Sequence, residues 1–452
     1  MKLKRFSLST SHIIMLSFIS AIFIGSLLLS LPISSANGIP VDYIDALFTA
    51  TTSTCVTGLV TLSTVSAWSN FGHVVILCLI QIGGLGIITV MSAIAVFLHK
   101  KMGLGNRLLI QDSFNLNSLS GLIRFLKKVI KGTFIIELLG ALAYMTVFIP
   151  KFGPRGIWIS VFNSVSAFCN AGIDIIGENS LCDYATNPII NITTSLLIFL
   201  GGIGYIVWWD VIKVLKDARK FRLHCFKKLS LHSKIALSTS FILIFFGTVL
   251  FLIFEYNNPL TLKDYSLFDK LQIAFFQSIT TRTAGFASVP QQNLTNASCL
   301  VSMLLMFIGG SPVGTAGGIK TVTFTVLIAS ARSTIKNKTD AFLFNRNIAR
   351  SAINKALSVV YMSFAIVFIS STLLCAITNA SALDVIYECV SATATVGLSR
   401  NLTSVFDLWG KLIIIATMYL GRIGPISLAI AFNLRKEKTN IIKNPTEEIT
   451  VG

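Results

Sequence analysis

Four glycines, Gly58, Gly172, Gly285 and Gly397, recur 114, 113 and 112 residues apart in a chain of 452 residues. Each ends a segment that carries almost no charge: Cys55-Val56-Thr57-Gly58, Cys169-Asn170-Ala171-Gly172, Arg282-Thr283-Ala284-Gly285 and Ala394-Thr395-Val396-Gly397. No ring of carboxylates or amines stands beside these glycines. What four such segments can bring to one point is backbone carbonyl oxygen, the group that replaces the hydration shell of a weakly hydrated monovalent cation. Glycine serves here because it reaches the dihedrals that turn carbonyls toward a common axis. Apart from Arg282 and Ala394, these residues are the candidate ion-binding set.

The surroundings of each glycine repeat in chemistry more than in identity. Ten residues upstream stands an aromatic (Phe48, Phe162, Phe275, Tyr387), and one residue downstream a large apolar side chain (Leu59, Ile173, Phe286, Leu398). Sixteen upstream are Asp42, Gly156, Asp269 and Ser381, each acceptable as a helix N-cap. Every copy reads as a half-helix too short to cross a bilayer, running into a tight, extended strand that holds the glycine. A second landmark follows 24 to 29 residues after each glycine: Gly83-Gly84, Gly201-Gly202, Gly309-Gly310, and Gly421 with Arg422.

Long apolar runs frame these segments. Runs at 13–33, 72–98, 129–150, 188–212, 234–254, 299–330, 356–378 and 409–433 each reach the roughly 20 residues that span a bilayer. The chain is 53% hydrophobic and 12% charged, about half the charged share of an average globular protein. The unit is therefore helix, re-entrant half-helix, glycine strand, helix. Four units cover residues 11–98, 125–215, 232–330 and 353–435, with a cytoplasmic tail at 436–452. The fold class implied is an all-α polytopic membrane protein, with four tandem helix/pore-loop/helix repeats in pseudo-fourfold symmetry around a central pore. Non-helical backbone at membrane depth is tolerated only inside protein or along a water-filled cavity, and four strands around one axis meet that condition together. The half-helices would aim their partially negative carboxyl ends at the cavity, which favours a cation.

The net charge of +18 would suit a nucleic-acid ligand, so the placement of the 37 Lys and Arg residues decides its meaning. The amino-terminal tail (Lys2, Lys4, Arg5) and the segments 99–131, 213–234, 329–356 and 433–452 hold 28 of them, and the opposite side holds seven. This is the positive-inside bias, with both termini in the cytoplasm, and a basic face that suits anionic lipid. Nucleic acid is not required. The first apolar run is longer than a signal-peptide core and is needed by the first repeat, so it is expected to be retained. Cysteines at 55, 78, 169, 182, 225, 299, 375 and 389 form no CxxC pair, and His224 and His232 lie too far apart for a usual zinc site. Small packing residues are the expectation, with no cofactor in this chain.

Charged residues inside apolar runs are costly at membrane depth and mark function or pairing. Gly309-Gly310-Ser311-Pro312-Val313-Gly314-Thr315-Ala316-Gly317-Gly318-Ile319-Lys320 should break its helix halfway and lie across the path below the glycines. Arg422 is expected to meet carbonyls of that loop, or water, and to act as an electrostatic barrier. Arg282 would repel a cation if it pointed inward, so it reads as a scaffold residue hydrogen-bonding carbonyls or acids behind the strand, with Glu388 a possible partner. Glu137 and Asp210 are either relay or coupling groups, or an inter-helix hydrogen bond and an interfacial residue respectively.

These four glycine segments, the 309–320 stretch, Thr281-Arg282-Thr283-Ala284-Gly285-Phe286 and Gly421-Arg422-Ile423-Gly424-Pro425 together resemble the Trk/Ktr/HKT superfamily of potassium transporters over residues 11–435. With no helix pair before the first repeat, the chain is more similar to the shorter Ktr membrane subunit than to the longer TrkH type. The resemblance implies potassium uptake through a selectivity filter, a homodimer with one pore per subunit, and a cytosolic nucleotide-binding regulatory subunit. It gives the 309–320 loop the role of an intramembrane gate and the four glycines that of filter glycines. In the HKT branch a serine at the first of these goes with sodium preference; Gly58 therefore points to potassium. Cys55, Cys169 and Asn170 depart from the family pattern. A sodium-permeable or sodium-coupled symporter of the same fold stays open, and an intramembrane enzyme is remote, since HExxH, GxSxG and paired acids on an apolar helix face are missing. The cytoplasmic segments lack a nucleotide fingerprint, which is why nucleotide sensing is assigned to another chain.

Overall fold

The element order follows the repeat spacing. The computed structural model describes residues 10–87, 89–90, 92, 122–216, 225–338 and 340–424. The first repeat holds α1 (Thr10–Leu29), α2 (Tyr43–Cys55) and α3 (Asn70–Leu85). The second holds α4 (Leu122–Phe152), α5 (Arg155–Cys169), α6 (Pro188–Gly202) and α7 (Tyr205–Lys216). The third holds α8 (Leu231–Glu255), α9 (Leu267–Thr280), α10 (Asn296–Phe307) and α11 (Thr321–Ile335). The fourth holds α12 (Arg350–Ile377), α13 (Ala382–Ala394) and α14 (Leu408–Ile423). A small antiparallel hairpin, Phe342–Leu343 with Arg346–Asn347, joins the third repeat to the fourth. The segments Lys2 to Arg5, 99–121, His224, Pro425 and 436–452 lie outside the described residues.

Among the described residues, α1, α4, α8 and α12 are the four single helices long and apolar enough to cross a membrane. They expose Phe23, Ile24, Phe245, Phe246, Phe364 and Phe368, side chains that lipid accepts and water would not. The short helices α2, α5, α9 and α13 sit inside them. Their Ser, Thr and Ala residues let backbones approach closely, and from Phe48 to Cys55 every residue of α2 is buried.

The uninterrupted second spans expected from the apolar runs do not form. In the second repeat, α6 and α7 meet at 100° across a break of two residues. Helices α3 and α14 stop after 16 residues at Gly86 and Gly424, both with φ of +85°. Gly204, at the α6–α7 break, has φ of +93°. The break expected for the third repeat alone thus falls at the same landmark in every copy. Its signal is Gly-x-x-Gly: Gly83 to Gly86, Gly201 to Gly204 and Gly421 to Gly424. Hydropathy misses it because leucine and isoleucine continue through the turn.

Two of the four expected N-caps also move. Asp42 and Ser381 stand at the caps of α2 and α13, but α5 begins after Pro154 and α9 after Ser266. Gly156 and Asp269 lie in the first helical turn. Ser266 accepts from the Asp269 amide at 3.2 Å and donates to its carboxylate at 2.6 Å, a reciprocal cap that Ser381 and Asp384 reproduce. The third repeat slips in register as well. Phe48, Phe162 and Tyr387 are buried, but Phe275 is 42% exposed and Phe276 takes the core position.

Candidate functional site

The four glycines close one ring. A methyl placed on Gly58 would lie 2.5 Å from the Ala171 carbonyl oxygen, and one on Gly172 2.5 Å from that of Ala284. At Gly285 and Gly397 the oxygens of Val396 and Thr57 would be closer still. Each glycine therefore faces the residue that precedes the glycine of the next repeat, from the first round to the fourth and back to the first. Their φ values, +98°, +64°, +85° and +96°, lie where side chains are disfavoured.

Two residues before each glycine, the chain is left-handed again, at Val56, Asn170, Thr283 and Thr395. None of the four is glycine, and such strain persists only where the surroundings impose it. Val56, Asn170 and Thr395 end their half-helices, and the next amide returns to the last turn: Thr57 N to Thr52 O, Ala171 N to Ser166 O and Val396 N to Ser391 O, each 2.8 Å. In the third repeat Ala284 N reaches Thr280 O at 3.0 Å. That turn is one residue shorter, which is the register slip seen in the helix.

A hydroxyl pins each strand to its half-helix, and sequence reasoning passed over it. Gly58 N donates to Thr52 Oγ1 at 3.0 Å, and Gly397 N to Ser391 Oγ at 3.0 Å. Ser166 Oγ donates to Ile173 O at 2.5 Å, and Thr280 Oγ1 to Phe286 O at 2.6 Å. The signal was a hydroxyl six residues before the glycine in three copies and five before it in the third. Removing one leaves a buried amide or carbonyl without its partner, at about 1–3 kcal/mol. Ser391→Ala is expected to lower the melting temperature in detergent by several degrees; a variant as stable as the parent would remove the anchoring role.

Cavities flank the ring. One of about 320 Å³ touches all four glycines. A second, of about 390 Å³, lies on the half-helix side, where Thr393 and Ala394 end α13, and is lined by Pro312, Lys320 and Arg422 among others. The chain from Ile308 to Lys320 fills the space between it and the second repeat. Its ends are tied together by Ile319 N to Phe307 O at 3.1 Å and Thr321 N to Gly310 O at 2.9 Å. Its body satisfies the broken end of α6, with Ser311 N on Gly202 O at 2.8 Å, Thr315 N on Gly201 O at 3.1 Å and Tyr205 N on Val313 O at 2.9 Å. It also touches the end of α5 and the third strand: Thr315 Oγ1 donates to Phe168 O at 3.0 Å, and Gly317 N to Thr283 Oγ1 at 3.2 Å.

Arg422 clamps this loop. Its Nη1 donates to Thr315 O at 2.8 Å and its Nη2 to Gly83 O at 2.6 Å, so one guanidinium joins the first, third and fourth repeats. Lys320 Nζ donates to Ala316 O at 2.5 Å. The landmark glycines Gly83, Gly201 and Gly421 lie against the half-helix carbonyls of Thr54, Phe168 and Thr393, where a methyl would overlap. Helices α3, α6 and α14 thus pack their breaks directly on the ends of half-helices.

Arg282 and Glu388 do not meet. Arg282 is buried and donates to Gly309 O at 3.1 Å and Ser240 O at 3.4 Å, tying the third strand to the loop and to α8. Glu388 instead accepts from Ser399 Oγ, from Arg400 N at 3.2 Å and from Thr403 Oγ1 at 2.9 Å, bracing the turn after Gly397. Glu388 stands midway along α13, beside the chain that leaves the strand. Around it Arg400 pairs with Asp384 at 2.5 Å and donates to Gln291 O at 2.9 Å, and Gln291 is bonded by Gln277 at 2.7 Å and Tyr387 at 3.1 Å. This network braces the third repeat against the fourth. Lys411 on Asp45, at 2.6 Å, joins the fourth to the first. Glu137 accepts from Gln81 at 3.0 Å across α4 and α3, and Asp210 accepts from the Ser230 amide at 2.9 Å: an inter-helix bond and an inter-segment tie.

Comparison with known proteins agrees over nearly the whole chain. The family model described as TrkH, cation transport protein, matches residues 5–443. The potassium/sodium uptake protein NtpJ of Enterococcus hirae is 38% identical over 98% of this chain and 98% of its own. The Ktr system potassium uptake protein B of Bacillus subtilis is 37% identical over 98% and 96%. Among solved structures, the potassium transporter TrkH from Vibrio parahaemolyticus superposes with a TM-score of 0.74 at 15% identity, over 95% of this chain and 86% of that one.

Proposed function

This chain belongs to the TrkH family of cation transport proteins, and from that premise we propose that it is the membrane subunit of a potassium uptake system whose ion passes along the axis of the glycine ring. Membership of a transporter family sets the enzyme reading aside. The observation that carries the proposal is the closed ring itself, in which each glycine abuts a carbonyl of the next repeat between two cavities.

The ion sheds water in the outer cavity, and the carbonyls of Cys55 to Gly58, Cys169 to Gly172, Thr283 to Gly285 and Thr395 to Gly397 replace it. Four half-helices ending at the ring add partial negative charge where the ion is dehydrated. Below, the loop from Gly309 to Gly318 obstructs the path as the gate, and Arg422 and Lys320 set an electrostatic barrier there. Both termini face the cytoplasm by the distribution of basic residues. The subunit works as a homodimer with one path per protomer. A cytosolic nucleotide-binding partner supplies regulation, as the resemblance to the Ktr membrane subunit implies; the relative from Bacillus subtilis is named as protein B of a Ktr system.

A second reading, sodium permeation or coupling, is favoured by one observation: the relative from Enterococcus hirae is named for potassium and sodium together. Rubidium uptake into cells unable to import potassium, with and without sodium, separates the two. Uptake without sodium is expected. Gly58→Ser, which puts a Cβ 2.5 Å from the Ala171 carbonyl oxygen at a φ of +98°, is expected to cut rubidium uptake severely and to shift the residual flux toward sodium by about tenfold, about 1.4 kcal/mol; residual flux with unaltered preference would detach Gly58 from selectivity.

A further inference from the structure

The cavity that touches the four glycines is one-signed. Among the residues that line it, Asp174 and Glu178 carry charge, and none is lysine or arginine. Asp174 stands two residues after Gly172, where the other repeats have Val60, Ala287 and Ser399, so the carboxylate beside the ring comes from one repeat. The side chain is buried, and its Oδ1 accepts from the Ile176 amide at 3.3 Å, which folds it back beside the ring.

Resting on the reading of the ring as an ion path, we propose that Asp174 forms a loading site in the outer cavity, which holds a partly hydrated monovalent cation before it enters the carbonyl ring. A low-dielectric cavity with charge of one sign raises the local concentration of counter-ions. The carboxylate would therefore set the external concentration at which uptake half-saturates, and have little effect on the maximal rate, which is governed by the ring and the gate.

The test is rubidium uptake against concentration at neutral pH, in wild type, Asp174→Asn, Asp174→Ser and Asp174→Glu at matched membrane abundance. Asp174→Asn is expected to raise KM about five- to tenfold and to leave the maximal rate within about twofold. Asp174→Glu should restore a low KM. An Asp174→Asn protein with wild-type KM overturns the loading site and leaves the ring's reading standing. Wild type without saturable uptake overturns that reading itself. Should Asp174→Asn fail to reach the membrane, Asp174→Ser, with the residue the fourth repeat carries at this position, decides: a wild-type KM in it overturns the proposal.

Discussion

Gly285→Ala is expected to abolish rubidium uptake, by at least about 100-fold, while the protein still reaches the membrane. A hundredfold loss corresponds to about 2.7 kcal/mol at the rate-limiting barrier, and two effects supply it. Gly285 has φ of +85°, where a side chain costs about 1–2 kcal/mol. The added methyl would also overlap the Val396 carbonyl oxygen, an oxygen the ion needs, so the strain relaxes by moving it. Gly38 separates these effects, because it shares a positive φ of +69° yet has nothing within 4 Å of the methyl position. Gly38→Ala should therefore lose about 1 kcal/mol of stability and transport normally. Measured uptake above one-tenth of wild type in Gly285→Ala would mean that the ring tolerates a displaced carbonyl, and the ion path would have to lie elsewhere.

The ring was legible in the sequence because glycine is costly to replace at each of its positions and the repeat recurs at nearly constant length. Gly58, Gly172, Gly285 and Gly397 are brought together as their spacing implies, and the apolar residues after them are all buried. What stayed hidden was backbone direction. The runs at 188–212 and 409–433 read as straight spans because bilayer hydropathy measures side chains, and Ile203 and Ile423 are as apolar in a turn as in a helix. Only the glycines at Gly204 and Gly424, with φ of +93° and +85°, record the turn. Of the two kinds of acceptor expected for Arg282, carbonyls and acids, it took carbonyls, Gly309 O and Ser240 O; which ones stayed hidden, because every residue carries one. Glu388 was taken by the hydroxyls of Ser399 and Thr403, which lie within reach only because the chain doubles back after Gly397.

Arg422→Ala is expected to raise the maximal rate of rubidium uptake about tenfold or more. At an effective dielectric of about 20, a unit charge about 8 Å from a permeating cation costs it about 2 kcal/mol, roughly thirtyfold in occupancy. The same change removes two hydrogen bonds, on Thr315 O and Gly83 O, and so releases the loop from α3. Arg422 itself lines a cavity of about 390 Å³, from which water can take the place of the guanidinium, so the loss of stability should be smaller than for a dry site. Deleting residues 310 to 317 is a harsher test of the gate, because it strips Gly201 O, Gly202 O and Tyr205 N of their partners at the α6–α7 break. Arg422→Lys keeps the charge but cannot span both carbonyls as the planar guanidinium does. It divides the two contributions. A rate near wild type in Arg422→Lys assigns the barrier to charge, and a rate near that of Arg422→Ala assigns it to the clamp. If Arg422→Ala transports no faster than wild type at equal abundance, neither contribution limits flux and the obstruction below the ring is not the gate.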